Sequence, residues 1–165
     1  MIVIADSSPL RYLILIGRVE ILRDLFRQIV VPASVIGELA HPNSPAPVHA
    51  WIVNPPEWLI LRVPQSVDKS LSGRLGAGES EAIAIAEELG ADALLTDDNA
   101  ARKEAERRRI PVQGTLGVLD LAAQIGLADL PAALADLSAT NFRASRKLIQ
   151  FFLDRDAERR SRSSR

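Results

Sequence analysis

Short apolar runs that stop at an acid or a proline and lead straight into helical patterns constrain this chain more than any other feature. "IVIAD" is four apolar residues ended by an acid and then by "SSP", which predicts a buried strand and a helix with Pro9 in its first turn. "QIVVP" and "ADALLTDD" repeat the pattern, and "WLILRVP" and "IPVQG" are further strand candidates. Helical patterns separate them: "LRYLILIGRVEILRDLF", broken or bent at Gly17, then "PASVIGELA" and "VHAWIV". After the loop "SGRLGAG" come "ESEAIAIAEEL", ended by Gly90, then "NAARKEAERRR" and "TLGVLDLAAQIGL". "LPAALADLSAT" and "FRASRKLIQFFLDRDAER" complete the helical segments. Strands that are continuously apolar, without alternation, are buried on both faces. The pattern therefore predicts an α/β protein with a mainly parallel sheet covered by helices on both sides.

A chain of 165 residues, 47% of them hydrophobic, suits one globular domain with a substantial core. It has no cysteine, which excludes disulfides, thiolate metal sites and thiol catalysis and agrees with a reducing cytoplasm. "MIVIADSSPL" has an acid after five apolar residues and no basic leader, so it reads as neither a signal peptide nor a membrane span. The expectation is a cytoplasmic protein with no membrane association. Charge is unevenly spread: residues 1–142 carry 12 basic and 18 acidic groups, residues 143–165 carry 8 and 3. The closing "RRSRSSR" has no apolar residue, and residues 159–165 are expected to be a disordered basic tail, either solvated or in contact with phosphate.

Ligands in open parallel sheets bind beyond the carboxyl ends of the strands, and two predicted strands end there in acids: Asp6, and the pair Asp97 and Asp98. A lone Asp after a strand is commonly a helix cap, but one helix needs only one cap, so the doubled acid is in surplus. On a helical wheel at roughly 100° per residue, Ile83 and Ala86 lie close to Glu79, which puts Glu79 on the buried face, whereas Glu81 falls about 200° away on the solvent side. A carboxylate on an apolar face needs a cation or a basic side chain. Glu38, in "VPASVIGELA", is a further candidate on the flank of its helix. A carboxylate cluster without cysteine suits a hard cation such as Mg²⁺ or Mn²⁺ and hence phosphoryl or phosphodiester chemistry.

In order and spacing, "IVIADSSPL", "VVPASVIGELA" and "LGAGESEAIAIAEELGADALLTDDNAARKEAERRRIPVQGTLGVL" resemble the PIN-domain family, and more closely its VapC-like ribonuclease toxins. The resemblance runs from about Met1 to Ala139. It implies a three-layer α/β/α sandwich and an acidic pocket that holds Mg²⁺ or Mn²⁺ and hydrolyses RNA. Carried over by position, the pocket acids are Asp6, Glu38, Glu79 (a glutamate where the family has an aspartate) and Asp97 or Asp98, with the register of the pair open. Asp6, Glu79 and Asp97 or Asp98 would hold metal, and Glu38 would ligate or orient water. Ser7, Thr96 and Thr115 would support the pocket by hydrogen bonds. Apart from the resemblance, Arg102 and Lys103 follow the acidic pair closely enough to touch a substrate phosphate, or else belong to a solvated helix face. The resemblance also implies a homodimer and a small antitoxin whose segment occupies the active-site groove. Residues 1–140 would form the nuclease domain, and residues 141–158 a helix packed on the domain or on a partner.

Other motifs carry less. "GAGESE" lacks the Lys-Ser or Lys-Thr of a phosphate-binding loop, and Ser7 and Ser8 lack the glycines of a nucleophile elbow. His41 and His49, in or beside a proline-rich loop, are not spaced as a ligand pair, and Trp51 and Trp58 read as packing residues. Two other functions compete: a catalytically silent PIN-like module that binds RNA or protein, and another Mg²⁺-dependent phosphohydrolase.

Overall fold

The computed structural model describes residues 1–165. Its five strands are β1 (Val3–Ala5), β2 (Ile29–Pro32), β3 (Leu59–Arg62), β4 (Ala93–Leu95) and β5 (Val112–Gln113). They form one all-parallel sheet in the order β3-β2-β1-β4-β5. The helices are α1 (Ser7–Leu15), α2 (Glu20–Phe26), α3 (Ala33–Leu39), α4 (Ala46–Ile52), α5 (Ala77–Leu89), α6 (Asn99–Arg107), α7 (Thr115–Gln124), α8 (Leu130–Ser138) and α9 (Arg146–Ser163). Helices flank the sheet, giving the α/β class and the three-layer arrangement that the apolar runs and the resemblance imply. No helix is long and apolar enough to cross a membrane.

The sheet explains the patterning. β1 lies between two neighbours, with Ile4 paired to Val30 on one side and Leu94 on the other, and all three of its residues are buried. β3 is an edge strand, and it leaves Ile60 and Leu61 exposed despite their apolar character. α5 packs on β1, β2 and β4, and Ala82, Ile83, Ile85 and Ala86 join Ile4, Leu94, Ala105 and Ile110 in a fully enclosed cluster. Gly17 adopts φ +70°, a left-handed conformation that ends the first helix and separates α1 from α2.

Several boundaries differ from the sequence reading, and those of α5 and α9 matter most. Ala77 and Gly78 belong to α5, because the Gly76 carbonyl accepts the Ser80 N–H at 3.0 Å and opens the helix two residues early. α9 begins at Arg146, since the Ser145 hydroxyl accepts the Leu148 N–H and caps it. The same helix runs on through residues expected to be a disordered tail. An ion pair from Arg162 to Glu158 at 2.7 Å and a bond from the Ser163 hydroxyl to the Arg159 carbonyl at 3.1 Å carry it to Ser163 without apolar burial.

The chain divides into two compact units, Met1–Thr115 and Leu116–Arg165, so the contact boundary falls at the start of α7, ahead of residue 140. In the second unit α8 packs on α9, and α9 leaves Leu148 and Phe151 exposed, with the Arg155 guanidinium 5.5 Å from the centre of the Phe151 ring.

The packing predicts that Ile83→Ala, which empties the centre of the α5 cluster, lowers unfolding free energy by about 2–5 kcal/mol. Urea denaturation should show a lower midpoint at unchanged slope.

Candidate active site

A parallel sheet brings the end of every strand, and the start of every helix that follows directly, to one edge. The order of this sheet reverses between β1 and β4: β1 continues the chain toward β2 on one side, while β4 lies on the other. Ligands bind open α/β sheets at such a switch point. The ladder continues one residue past the strands, with the Asp6 N–H donating to the Leu95 carbonyl at 2.9 Å and the Thr96 N–H to the Gln113 carbonyl at 3.0 Å. Asp6 and the Thr96–Asp97–Asp98 segment are therefore neighbours across the switch point.

Asp6 is 1% exposed. Its Oδ1 accepts the Ser7 N–H at 2.7 Å, capping α1, and its Oδ2 accepts the Thr96 hydroxyl at 3.1 Å. Burial, followed by the negative charge of Glu79 and more weakly that of Glu38, pushes its pKa from 3.8 up to about 7 against those two hydrogen bonds. A buried Asp raised mainly by burial and then by two further carboxylates has an unmet need for positive charge.

Glycine leaves the space in which these acids meet. A Cβ added to Gly78 would stand 2.9 Å from Glu38 Oε1, 3.1 Å from Val35 Cγ2 and 3.4 Å from Asp6 Oδ1. Asp6, following β1, and Glu38, on α3, thus reach the same gap over the first turn of α5. Glu79, the third residue of that helix, folds back so that its Oε2 lies 2.5 Å from where a Cβ on the N-cap Gly76 would be. There it faces the unpaired N–H groups at the start of α5.

The doubled acid divides its work. Asp98 caps α6 by accepting the Ala101 N–H at 2.8 Å, and its own N–H binds the Thr96 hydroxyl oxygen at 3.2 Å. Asp97 turns to the start of α7, where its Oδ1 accepts the Thr115 N–H at 2.7 Å and its Oδ2 the Thr115 hydroxyl at 2.6 Å. Burial raises its pKa, while the Thr115 bonds and the nearby Arg102 act in the opposite direction. The expectation that one helix needs only one cap missed that two helices start at this edge. Gly114 makes the close approach possible, since a Cβ there would lie 2.8 Å from Asp97 Oδ1 and 3.2 Å from an Arg102 guanidinium nitrogen.

Glu81 departs from the helical-wheel reading. It is half-buried, and its Oε2 accepts both the Ser34 N–H, at 3.2 Å, and the Ser34 hydroxyl. α3 follows Pro32, which has no side chain able to cap it, and a carboxylate from α5 takes that role. The proline before "ASV" was the available signal. His41 accepts the Asn43 N–H through Nδ1 within its loop, and Trp51 packs on Trp58 with ring centres 5.8 Å apart, so these residues serve local structure.

No group of three or more acidic or histidine side chains is already drawn together as a metal-binding set. The residues nonetheless fit a hard divalent cation. The available donors are carboxylate oxygens, Gly78 keeps a gap between Asp6 and Glu38, and Asp6 lacks compensating positive charge.

The structure defines an all-parallel five-stranded α/β protein with carboxylates at its switch point. The chain belongs to the PIN-domain family: a family model described as a PIN domain (DUF3368) matches residues 2–158, which extends the relationship through most of α9. A search of curated proteins finds no match. PIN domains are generally nucleases, hydrolases of nucleic-acid backbones, and they typically use divalent metals.

Because Asp6 holds its proton more tightly when folded, stability falls as pH rises from its unfolded value of 3.8 through about 7. Thermal melts in EDTA should show a melting temperature that declines over this window. Asp6→Asn should flatten the decline and melt higher than the parent at pH 7.

Proposed function

We propose that this chain is a Mg²⁺- or Mn²⁺-dependent endoribonuclease that acts as the toxin of a toxin–antitoxin pair. The observation that carries the reading is the gap at Gly78 that Asp6 and Glu38 share, with the charge of Glu79 acting on the same buried Asp6, at the switch point of a PIN-domain sheet. Asp6 and Glu79 are the principal metal-holding acids. Asp98 is the better fourth member, because the Thr96 hydroxyl that binds Asp6 also takes the Asp98 N–H. Asp97 has both oxygens engaged by Thr115 and serves to fix the start of α7.

A bound divalent cation would offset the charge developing on the phosphate and lower the pKa of an attacking water. Glu38, an exposed side chain on the short helix α3, would take the proton of a water that attacks phosphorus while the bond from phosphorus to the ribose oxygen breaks, and that oxygen would leave with a proton from solvent. Arg102, held beside Asp97, faces the scissile phosphate or its neighbour and helps to neutralise it. Ser7 contributes through its backbone N–H and Thr96 through its hydroxyl, both fixing the carboxylate plane of Asp6. The same reading assigns the chain a homodimeric state, a cytoplasmic location and a small antitoxin partner that covers the groove.

The test is cleavage of a mixed RNA pool by purified protein in Mg²⁺, Mn²⁺ or EDTA. The parent should cut only with metal, and Asp6→Asn and Glu79→Gln should each lose roughly 100-fold or more. Metal-loaded protein that cuts no class of RNA would move the reading to a silent binding module, and cleavage of small phosphomonoesters alone would move it to a phosphatase. Gly78→Ala separates pocket from fold. Replacing a helical glycine gains about 1 kcal/mol of intrinsic propensity, which offsets the crowding against Val35, so stability should change little while cleavage falls as the gap between Glu38 and Asp6 fills.

A further inference from the structure

The second half of α9 is built in an unusual way for a helix end. After Leu153 it contains no apolar residue larger than Ala157, yet it stays helical to Ser163. It is held by two buried aspartates, Asp120 on α7 and Asp156 on α9, which are 3% and 5% exposed. Arg159 donates to Asp120 at 2.8 Å and to Asp156 at 3.2 Å, Arg160 pairs with Asp156 at 2.9 Å, and Arg155 stands 3.7 Å from Asp120. Arg160 also reaches Asp129 at 3.5 Å, and Arg162 pairs with Glu158 at 2.7 Å and continues the row with 79% of its side chain exposed, beside Arg160 at 55%.

These guanidinium groups face open space. A cleft of about 680 Å³ lies between Gln124 and Ala128 on one wall and Arg159, Arg160, Arg162 and Ser163 on the other. A smaller cleft of about 280 Å³ shares Gln124, Arg159 and Arg162 with it and adds Arg155 and Glu158. Together they form a groove lined by arginines whose planes are fixed from beneath by buried carboxylates. From Arg146 to Arg165 the chain has six arginines and one lysine against three acids. Arginine in place of lysine favours planar, bidentate recognition of phosphate, and pre-orientation by Asp120 and Asp156 lowers the entropy lost when a phosphate is bound.

We propose that the arginine-lined groove of α9 is a binding site for the sugar-phosphate backbone of single-stranded RNA, distinct from the acidic pocket. The choice of RNA rests on the ribonuclease reading above. Contacts of this kind are sequence-independent and salt-sensitive, so the groove adds affinity for any RNA segment long enough to reach it.

The full chain carrying Asp6→Asn, to suppress cleavage, is titrated with a fluorescent single-stranded RNA of mixed sequence at several salt concentrations in Mg²⁺. Adding Arg160→Gln and Arg162→Gln should weaken binding roughly tenfold at physiological salt and reduce the slope of log affinity against log salt by about 1.4, for two lost phosphate contacts. Arg162→Gln with Arg165→Gln, which leaves the partners of both buried aspartates in place, should act in the same direction without lowering the melting temperature. The control, Arg23→Gln with Lys69→Gln, should bind as the Asp6→Asn chain does. Unchanged affinity and slope in both arginine pairs would overturn the proposal and leave the groove to structure or to an acidic protein partner. RNA that binds through α9 but is never cut by the parent chain would remove the nuclease reading while upholding the groove.

Discussion

A parallel sheet has one edge at which strands end and helices begin, and this edge governs the rest of the structure. Each helix that starts there presents unpaired backbone N–H groups and the positive end of its dipole. The chain meets them with carboxylates: Asp6 on α1, Glu81 from α5 on α3, Asp98 on α6 and Asp97 on α7, with Glu79 in the first turn of α5. The concentration of acid at one edge is thus first a consequence of topology. Capping alone would account for it if every carboxylate were satisfied.

Asp6 separates capping from chemistry. It accepts two hydrogen bonds, as a capping group should, and both favour its charged form. Burial and the charges of Glu79 and Glu38 outweigh them, so the site holds more negative charge than its helix ends neutralise. Asp97 differs within the same edge: burial raises its pKa too, but Thr115 takes both of its oxygens and the one charge that acts on it is the positive one of Arg102. Repulsion between carboxylates is greatest in the gap beside Gly78, where Glu79 and Glu38 act on Asp6 and no basic group stands among the influences on it.

The sequence made the sheet legible because buried strands leave long-lived marks: "IVIA", "IVVP" and "ALL" are apolar on both faces, and Gly17 had to break the helix it interrupts. Asp6, Glu38 and Glu79 were legible as candidates from position and wheel angle. Their convergence was not, since it depends on a missing side chain at Gly78 in a helix that starts earlier than the acids suggest. Glu81 was placed on the solvent side because a wheel knows only its own helix, whereas its partner, Ser34, lies 47 residues away on α3. The tail of α9 was read as disordered for a related reason. Its order comes from ion pairs to Asp120, Asp156 and Glu158, which composition counts only as charge.

Charge divides between the two compact units. Residues 1–115 carry 12 basic and 15 acidic groups and residues 116–165 carry 8 and 6, so the unit that holds the carboxylates of the sheet edge is net negative and the unit that holds α9 is net positive. Screening confines each charge to a range of about 8 Å at physiological ionic strength, so the net charge of a unit matters less than the groups that a ligand touches. On the proposed reading the two demands are separate: the carboxylates beside Gly78 would ask for a cation, and guanidinium groups on α9 would ask for phosphate oxygens.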